Sequence, residues 1–333
     1  MEILEKICAI KAISGKEQTA LNELRELFGA DFDSIYSDNV GNIIMVKKCG
    51  KENAKKILLD AHLDTIGLMV TEVFDDGFVS VCGIGGVDPK TLPAGEVTIH
   101  GKNDVYGVVV STPPHLGGGA VPKMENILID TGINDKSLKD TVSVGDYVSI
   151  QGYYRESNGY AFSRGLDDRA CLCSCIMAAL NAKNPLCDIY VVASCMEEVG
   201  AFGARNAVFE IKPDFVIATD VTFARENEVE ERYSIECGKG PSFDLSPILD
   251  RAFIKEMMSL AKENDLPFQR IVESGRTGTN ADAISIVGCG TRLALMSLPL
   301  KAMHTVSEAV KLSDVEALAG ILELVITKWE GLK

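Results

Sequence analysis

From residue 15 to about 29, Ala20, Leu21, Leu24 and Leu27 recur at helical spacing behind Ser14 and Glu17, which stand in the arrangement of a capping box, so a helix is expected there. Phe32 to Lys47 reads as two strands joined near Asp38, Asn39 and Gly41, and Lys56 to Ala61 as a short apolar strand that ends beside His62, Leu63 and Asp64. Between about residues 68 and 160 short Val-rich and Ile-rich runs alternate with Gly-Gly, Asp-Gly, Gly-Asp and Pro-containing turns. No amphipathic helix interrupts them, which is the pattern of a small all-strand module. From Asp167 onward the pattern predicts helices at Ala170 to Ala182, Gly200 to Val208, Ile248 to Ala261, Ala281 to Val287 and Val315 to Lys328. Strands are expected between them at Ile189 to Ser194, Phe215 to Thr219, Phe268 to Val272 and Thr291 to Ser297.

The first 67 residues alone are too short a piece to bury a parallel sheet. The economical architecture is therefore one α/β domain, residues 1–67 plus 161–333, interrupted by a β module at 68–160, with two tandem domains as the alternative. A content of 46% hydrophobic and 24% charged residues fits a soluble globular protein. The 33 Lys plus Arg against 48 Asp plus Glu give a net charge of -15, which argues against a nucleic-acid partner. No run of 18 uncharged apolar residues occurs, and the start MEILEKICAI carries acids within a helical pattern, so neither a membrane span nor a secretion signal is expected. The 10 Cys are scattered, many in apolar segments, with no Cys-x-x-Cys pair, which suits thiols kept reduced in cytoplasm. VCGIGGVDP and HLGGGAVPK meet neither the phosphate-loop nor the dinucleotide fingerprint, and Gly83, Gly85, Gly86, Gly117, Gly118 and Gly119 are expected in turns.

Candidate chemistry concentrates in few residues. Of the four His, His62 closes an apolar strand two residues before Asp64, and His304 lies in a loop between Met303 and Thr305. Side chains two apart on a strand share a face, so Asp64 can hydrogen-bond the ring nitrogen of His62 that is turned from a metal. Alone, that pair reads equally as a surface hydrogen bond. The case grows with the acids at other strand ends: Asp167 and Asp168 before a helix, Glu197 and Glu198 after IYVVASCM, and Asp220 after FVIAT. Strand ends of this kind meet at one edge of a parallel sheet, and so many acids there repel one another unless positive charge sits between them. A pair of divalent metal ions meets that demand, and histidine with carboxylate suits zinc, cobalt or manganese. Of the adjacent Glu197 and Glu198, one is available to bind metal while the other takes a proton from water. Asp168 reads equally as a helix N-cap. His100 and His115 fall in the β module, and Cys171, Cys173 and Cys175 fit a buried helix better than a metal or redox site. Without a G-x-S-x-G elbow or a His beside Cys195, covalent catalysis ranks below metal-assisted hydrolysis.

AHLDTIGLMV at 61–70, GLDDRA at 165–170, MEEVG at 196–200, ATDVT at 218–222 and MHT at 303–305 together resemble the cytoplasmic dinuclear metallo-aminopeptidases that include the glutamyl and deblocking enzymes. VCGIGGVDPK, GVVVSTPPHL, GDYV and ECGKGP extend the resemblance across nearly the whole chain. It implies a zinc-peptidase-like α/β sandwich with an inserted small β-barrel-like module, and two divalent ions per subunit, zinc or cobalt first and manganese next. Carried over, Glu198 and His304 would hold one ion, His62 and Asp220 the other, and Asp167 would bridge them. Glu197 would be the general base and Asp64 would orient His62. The activity implied is removal of single amino acids from short peptides with a free N-terminus, in homo-oligomers from dimers to dodecamers, which the β module helps to build.

The chain departs from the family pattern at two places. Asn280 stands in GRTGTNADA at 275–283 where relatives usually carry an aspartate, and Lys301 and Ala302 replace an arginine and an aromatic residue before the last histidine. None is a ligand position, and what they bear on is substrate preference, packing near the site and assembly. The competing readings are a catalytically altered peptidase-like protein, an endoglucanase, and an N-acyl amino acid hydrolase using the same metal pair. A glycosidase needs no histidine pair among five acids and usually has aromatic platforms, whereas this chain has one Trp and 6% aromatics. Glu226, Glu228, Glu230 and Glu231 would favour basic substrates if they faced the pocket, and otherwise read as a solvated charge run.

Overall fold

The computed structural model describes residues 1–116, 121–133, 135–226 and 229–332. Four strands, Asp188–Ser194, Lys56–His62, Phe215–Phe223 and Arg292–Lys301, lie parallel in that order at the centre of a mixed sheet. Antiparallel strands extend it on both sides, Ile43–Lys47 and Ser34–Ser37 beyond the first, and Glu308–Lys311, Tyr160–Ser163 and Arg155–Ser157 beyond the last. The central strands are buried on both faces, which is why Ile57 to Leu59 and Ile189 to Ala193 read as continuous apolar runs instead of alternating ones. The strand Phe215–Phe223 continues four residues past the expected end at Thr219, because its register with Arg292–Lys301 persists to Phe223 and Leu300.

Helices Leu166–Asn181, Leu312–Lys328 and Glu2–Ala9 pack together, and Phe202–Ile211 packs on Asn280–Ile284. Both groups contact the strands Lys56–His62 and Asp188–Ser194, so the sheet is sandwiched between them. Cys171, Cys173 and Cys175 are fully buried and unpaired in Leu166–Asn181, with the Cys171 thiol donating to the Asp220 carbonyl.

The chain between the two parts of this sheet forms a closed six-stranded antiparallel barrel, running from Gly67–Val73 to Tyr147–Ile150. Its strands alternate inward and outward residues, and Leu68, Val79, Val97, Ile99, Ile129 and Val148 make a core separate from that of the large sheet. Gly117, Gly118 and Gly119, expected in turns, lie outside the described residues.

The expected helix over 15–29 is divided into a single 3-10 turn, Glu17–Ala20, and an α-helix, Leu21–Phe28. The capping box does not form. Ser14 Oγ donates to Asp64 Oδ2, and Glu17 Oε1 accepts from the backbone N–H groups of Gly15 and Met196, so tertiary partners at the sheet edge outcompete the local cap.

Candidate metal centre

Strand order reverses around Lys56–His62, since the chain places Asp188–Ser194 on one side of it and Phe215–Phe223 on the other. Ligand sites of open α/β sheets lie at the carboxyl ends of the strands beside such a switch. His62 is the last residue of its strand, Asp220 lies within Phe215–Phe223, and Glu197 and Glu198 follow Asp188–Ser194 through a turn at Met196, whose φ is 55°. Asp167 and Asp168 occupy the entry to Leu166–Asn181, where their backbone departs from helical geometry, and the peptide between them is cis. His304 stands in the turn after Arg292–Lys301 with φ 59°.

Two groups of candidate donors result. Within each, one ligand atom per residue lies within 4.8 Å of the others: His62, Asp168 and Asp220 in one, Asp167, Glu198 and His304 in the other. Asp167 joins them. Its Oδ1 is 3.0 Å from His62 Nε2, and its Oδ2 is 3.3 Å from His304 Nε2, which also lies 3.4 Å from Glu198 Oε2.

The outer ring nitrogens decide what those inner nitrogens carry. His62 Nδ1 is 2.9 Å from the Asp64 carbonyl and His304 Nδ1 is 3.2 Å from the Gly86 carbonyl. A carbonyl only accepts, so each Nδ1 bears a proton, and each Nε2 facing the Asp167 carboxylate is left to hold either a second proton or a metal ion. Positive charge is required there in either case, because a bare lone pair against a carboxylate is repulsive. The acids repeat the demand: burial pushes Glu198 up to about 8, and burial with the neighbouring Asp168 charge pushes Asp220 well above the carboxylate range. His304 is raised to about 9, first by its contact with Asp167. Two like charges 4 Å apart repel by about 4 kcal/mol at an effective dielectric near 20, so the group is not stably ionised without counter-charge. The Asp168 oxygens are buried with no hydrogen-bond partner. Imidazoles, crowded carboxylates and orphaned oxygens thus fit divalent cations.

Asp64 acts differently from the expectation. The strand ends at His62, so the two-residue period does not carry to Asp64, whose Oδ1 is 3.7 Å from His62 Nδ1 while its carbonyl takes the hydrogen bond. Its carboxylate instead accepts from Ser14 Oγ and from the N–H groups of Glu197 and Glu198, and so fixes the turn that presents both glutamates. Glu197 belongs to neither donor group, and it lines the cleft above them.

That cleft encloses about 1310 Å³. The barrel closes one side of it: a Cβ on Gly86 would stand 2.8 Å from His304 Nδ1, so only glycine fits there. Sequence reasoning left one contributor undecided and missed two. Asp168, read equally as an N-cap, makes no capping bond and sits with His62 and Asp220. Buried Glu308 accepts from the N–H groups of Asp167 and His304, and nothing in its spacing announces it. Glu17 holds Met196 through the contact already described. His100 lies apart, bonded to Asp104 and Ser149 on the barrel. In the acidic run, Glu230 pairs with Arg232 and Glu231 with Arg225, Glu226 is exposed, and Glu228 lies outside the described residues.

A family model described as M42 glutamyl aminopeptidase matches residues 41–321. The chain is 33% identical over 328 residues to a lysyl aminopeptidase of Pyrococcus furiosus, covering 95% of this chain and 93% of the relative. An aminopeptidase structure from the archaeon Desulfurococcus kamchatkensis matches with TM-score 0.91 at 28% identity, over 100% of this chain and 97% of that one. A Pyrococcus horikoshii TET1 peptidase, which can assemble into a tetrahedron or a large octahedral shell, matches with TM-score 0.86 at 28% identity, over 98% and 99%.

Proposed function

The chain belongs to the M42 glutamyl aminopeptidase family, and from that membership we propose that it removes single residues from the free N-termini of short peptides with the help of two divalent cations at the sheet edge. The observation that carries the reading is Asp167, one of whose oxygens faces each histidine. His62 and Asp220 would hold one ion, Glu198 and His304 the other, with Asp167 between them and Asp168 beside the first. Imidazole with carboxylate favours zinc or cobalt, then manganese. When bound, such a pair supplies Lewis-acid polarisation of the scissile carbonyl and an acidified water.

The chain's own groups do the rest. Glu197, whose N–H is tied to Asp64 Oδ1 at 3.1 Å, takes a proton from the attacking water on its carboxylate and returns it to the leaving amide nitrogen. Asp64 holds His62 through its carbonyl and Glu197 through its carboxylate. The scattered thiols favour work in the cytoplasm. We also propose that the barrel helps join subunits into a dimer or a closed assembly up to a dodecamer, on the strength of the likeness to the TET1 peptidase.

The one Trp gives a glucan-cleaving reading no platform, and the exposed aromatics at the cleft are Phe223 and Tyr233. Trp329 is buried, stacked on Phe253 at 4.5 Å and edge-on to Phe215 at 4.7 Å, away from the cleft. In the test, metal-loaded protein releases N-terminal residues from unblocked peptides, loses the activity on chelation, regains it with zinc or cobalt, and leaves N-acetylated peptides and β-glucan intact. Preference for an acylated amino acid would assign another hydrolase class. Absence of any hydrolysis at full metal loading would leave a catalytically altered relative.

A further inference from the structure

Beyond the metal donors the cleft continues along a wall that includes Ile248, Ile271, Glu273, Arg276 and Asp282. Glu273 directly follows the strand Gln269–Val272, and its N–H donates to the Leu245 carbonyl at 3.0 Å, so its backbone is pinned to the parallel strand Ser242–Leu245. One of its carboxylate oxygens, Oε2, is sealed from solvent without a hydrogen-bond donor. Other acids near this wall have partners. Asp282 accepts from the Thr277 N–H, the Thr277 hydroxyl and the Gly278 N–H, Glu230 pairs with Arg232, and Asp244 is held by the Ser242 and Ser297 hydroxyls. Among the described residues no cation forms an ion pair with Glu273.

A buried acceptor left without a donor costs about 1–3 kcal/mol, and since Oε2 itself is closed to solvent, a ligand's cation would offset that cost from the cleft side of the same carboxylate. Ile248 and Ile271 suit the methylene stem of a long basic side chain, whose charged end then meets the carboxylate. Arg205 and Arg276 also line the cleft, but they are exposed, and water screens them far more than it screens a half-buried group. Resting on the aminopeptidase reading above, we infer that Glu273 closes the subsite for the substrate's N-terminal side chain and selects lysine or arginine there. Burial, with the charges of Asp244 and Asp282, lifts its carboxyl to about 7, and a bound ammonium or guanidinium stabilises the ionised form.

The test measures kcat/KM for lysyl, arginyl, leucyl and glutamyl p-nitroanilides with the zinc-loaded or cobalt-loaded protein and its Glu273→Gln variant. The wild type is expected to prefer the two basic substrates over leucyl by about tenfold or more. Glu273→Gln should lower the lysyl-to-leucyl ratio about tenfold, chiefly through KM for the lysyl substrate. Because the readout is a ratio within one protein, a change in active fraction cancels, and elemental analysis reports whether the metal site is intact. Leucyl hydrolysis without a basic preference, or an unchanged ratio in the variant, overturns this inference and leaves the aminopeptidase reading standing. A glutamyl preference also overturns it and turns attention to Arg276. No hydrolysis of any amide overturns both readings.

Discussion

The two candidate donor groups are built on different foundations. His62 and Asp220 stand on the central parallel strands, and with Asp168 they are wholly buried. Glu198 and His304 stand on turns, are partly exposed, and depend on left-handed backbone at Met196 and at His304 itself. His304 also leans on Gly86, which the barrel contributes. Strand-borne donors are fixed by the ladder beneath them, whereas the outer donors rely on backbone hydrogen bonds to the side chains of Asp64 and Glu308 and on the contact of His304 with Gly86. On the two-ion proposal, the inner ion is expected to be the structural anchor and the outer one the exchangeable partner.

The largest expected effect lies with the residue that belongs to neither group. Glu197→Gln should lower kcat by about 10²- to 10⁴-fold while elemental analysis finds the metal content of the wild type, because a proton acceptor is lost and no donor is. Turnover at the wild-type level would remove Glu197 from the mechanism. His62→Ala and His304→Ala should then separate the groups. Each should lose one ion on dialysis against a weak chelator and keep the other, with affinity at the damaged position falling more than the roughly 10- to 100-fold that loss of a supporting contact costs. Wild-type protein should release the outer ion first. Simultaneous loss of both ions in either variant would mean that the groups form one indivisible site.

Gly86→Ala is a gentler cut at the same boundary. The added methyl would meet His304 Nδ1 at 2.8 Å and push the ring from its place, so the outer ion should weaken by about 10- to 100-fold while the inner ion is retained. Titration with zinc, followed by calorimetry, reads the two affinities separately. Equal weakening at both positions would sink the distinction between strand-borne and loop-borne donors.

The same contrast explains what the sequence discloses. Ile57 to Leu59 and Ile189 to Ala193 announce themselves because strands buried on both faces carry unbroken apolar stretches, and the barrel is legible from alternation and turn chemistry. Side chains at the carboxyl ends of parallel strands converge by topology, so His62, Glu197 and Asp220 are readable as neighbours. Illegible features arise where long-range partners override local rules. Ser14 and Glu17 have the letters of a capping box and spend their hydrogen bonds on Asp64 and Met196 instead. Asp168 has the letters of an N-cap and makes no cap. Glu308 holds two backbone N–H groups at the site, and no period or motif marks a side chain that acts on a distant main chain. Asp64 meets His62 through its carbonyl, with its carboxylate 3.7 Å from the same ring nitrogen, because a period of two holds only while the strand lasts.

Asn280 gives the smallest effect and the sharpest view of the inner group's foundation. Its Nδ2 donates to Asp60 Oδ2 and Ser194 Oγ, each at 2.9 Å, so it bridges two of the central strands, with Asp60 two residues before His62. Asp60 Oδ1 and Asn280 Oδ1 already lack partners, so little reserve of hydrogen bonding remains there. Asn280→Ala removes the donor and should cost about 1–3 kcal/mol, a fall of a few degrees in Tm. An aspartate at this position would turn the donor into an acceptor facing a buried carboxyl. Asn280→Asp should therefore lower Tm at least as much as alanine does unless the two acids share a proton. In both variants the outer ion should bind as in the wild type, since Glu198 and His304 stand on other elements. Weakening of the outer ion by Asn280→Ala, with the inner one untouched, would reverse the assignment of anchor and partner.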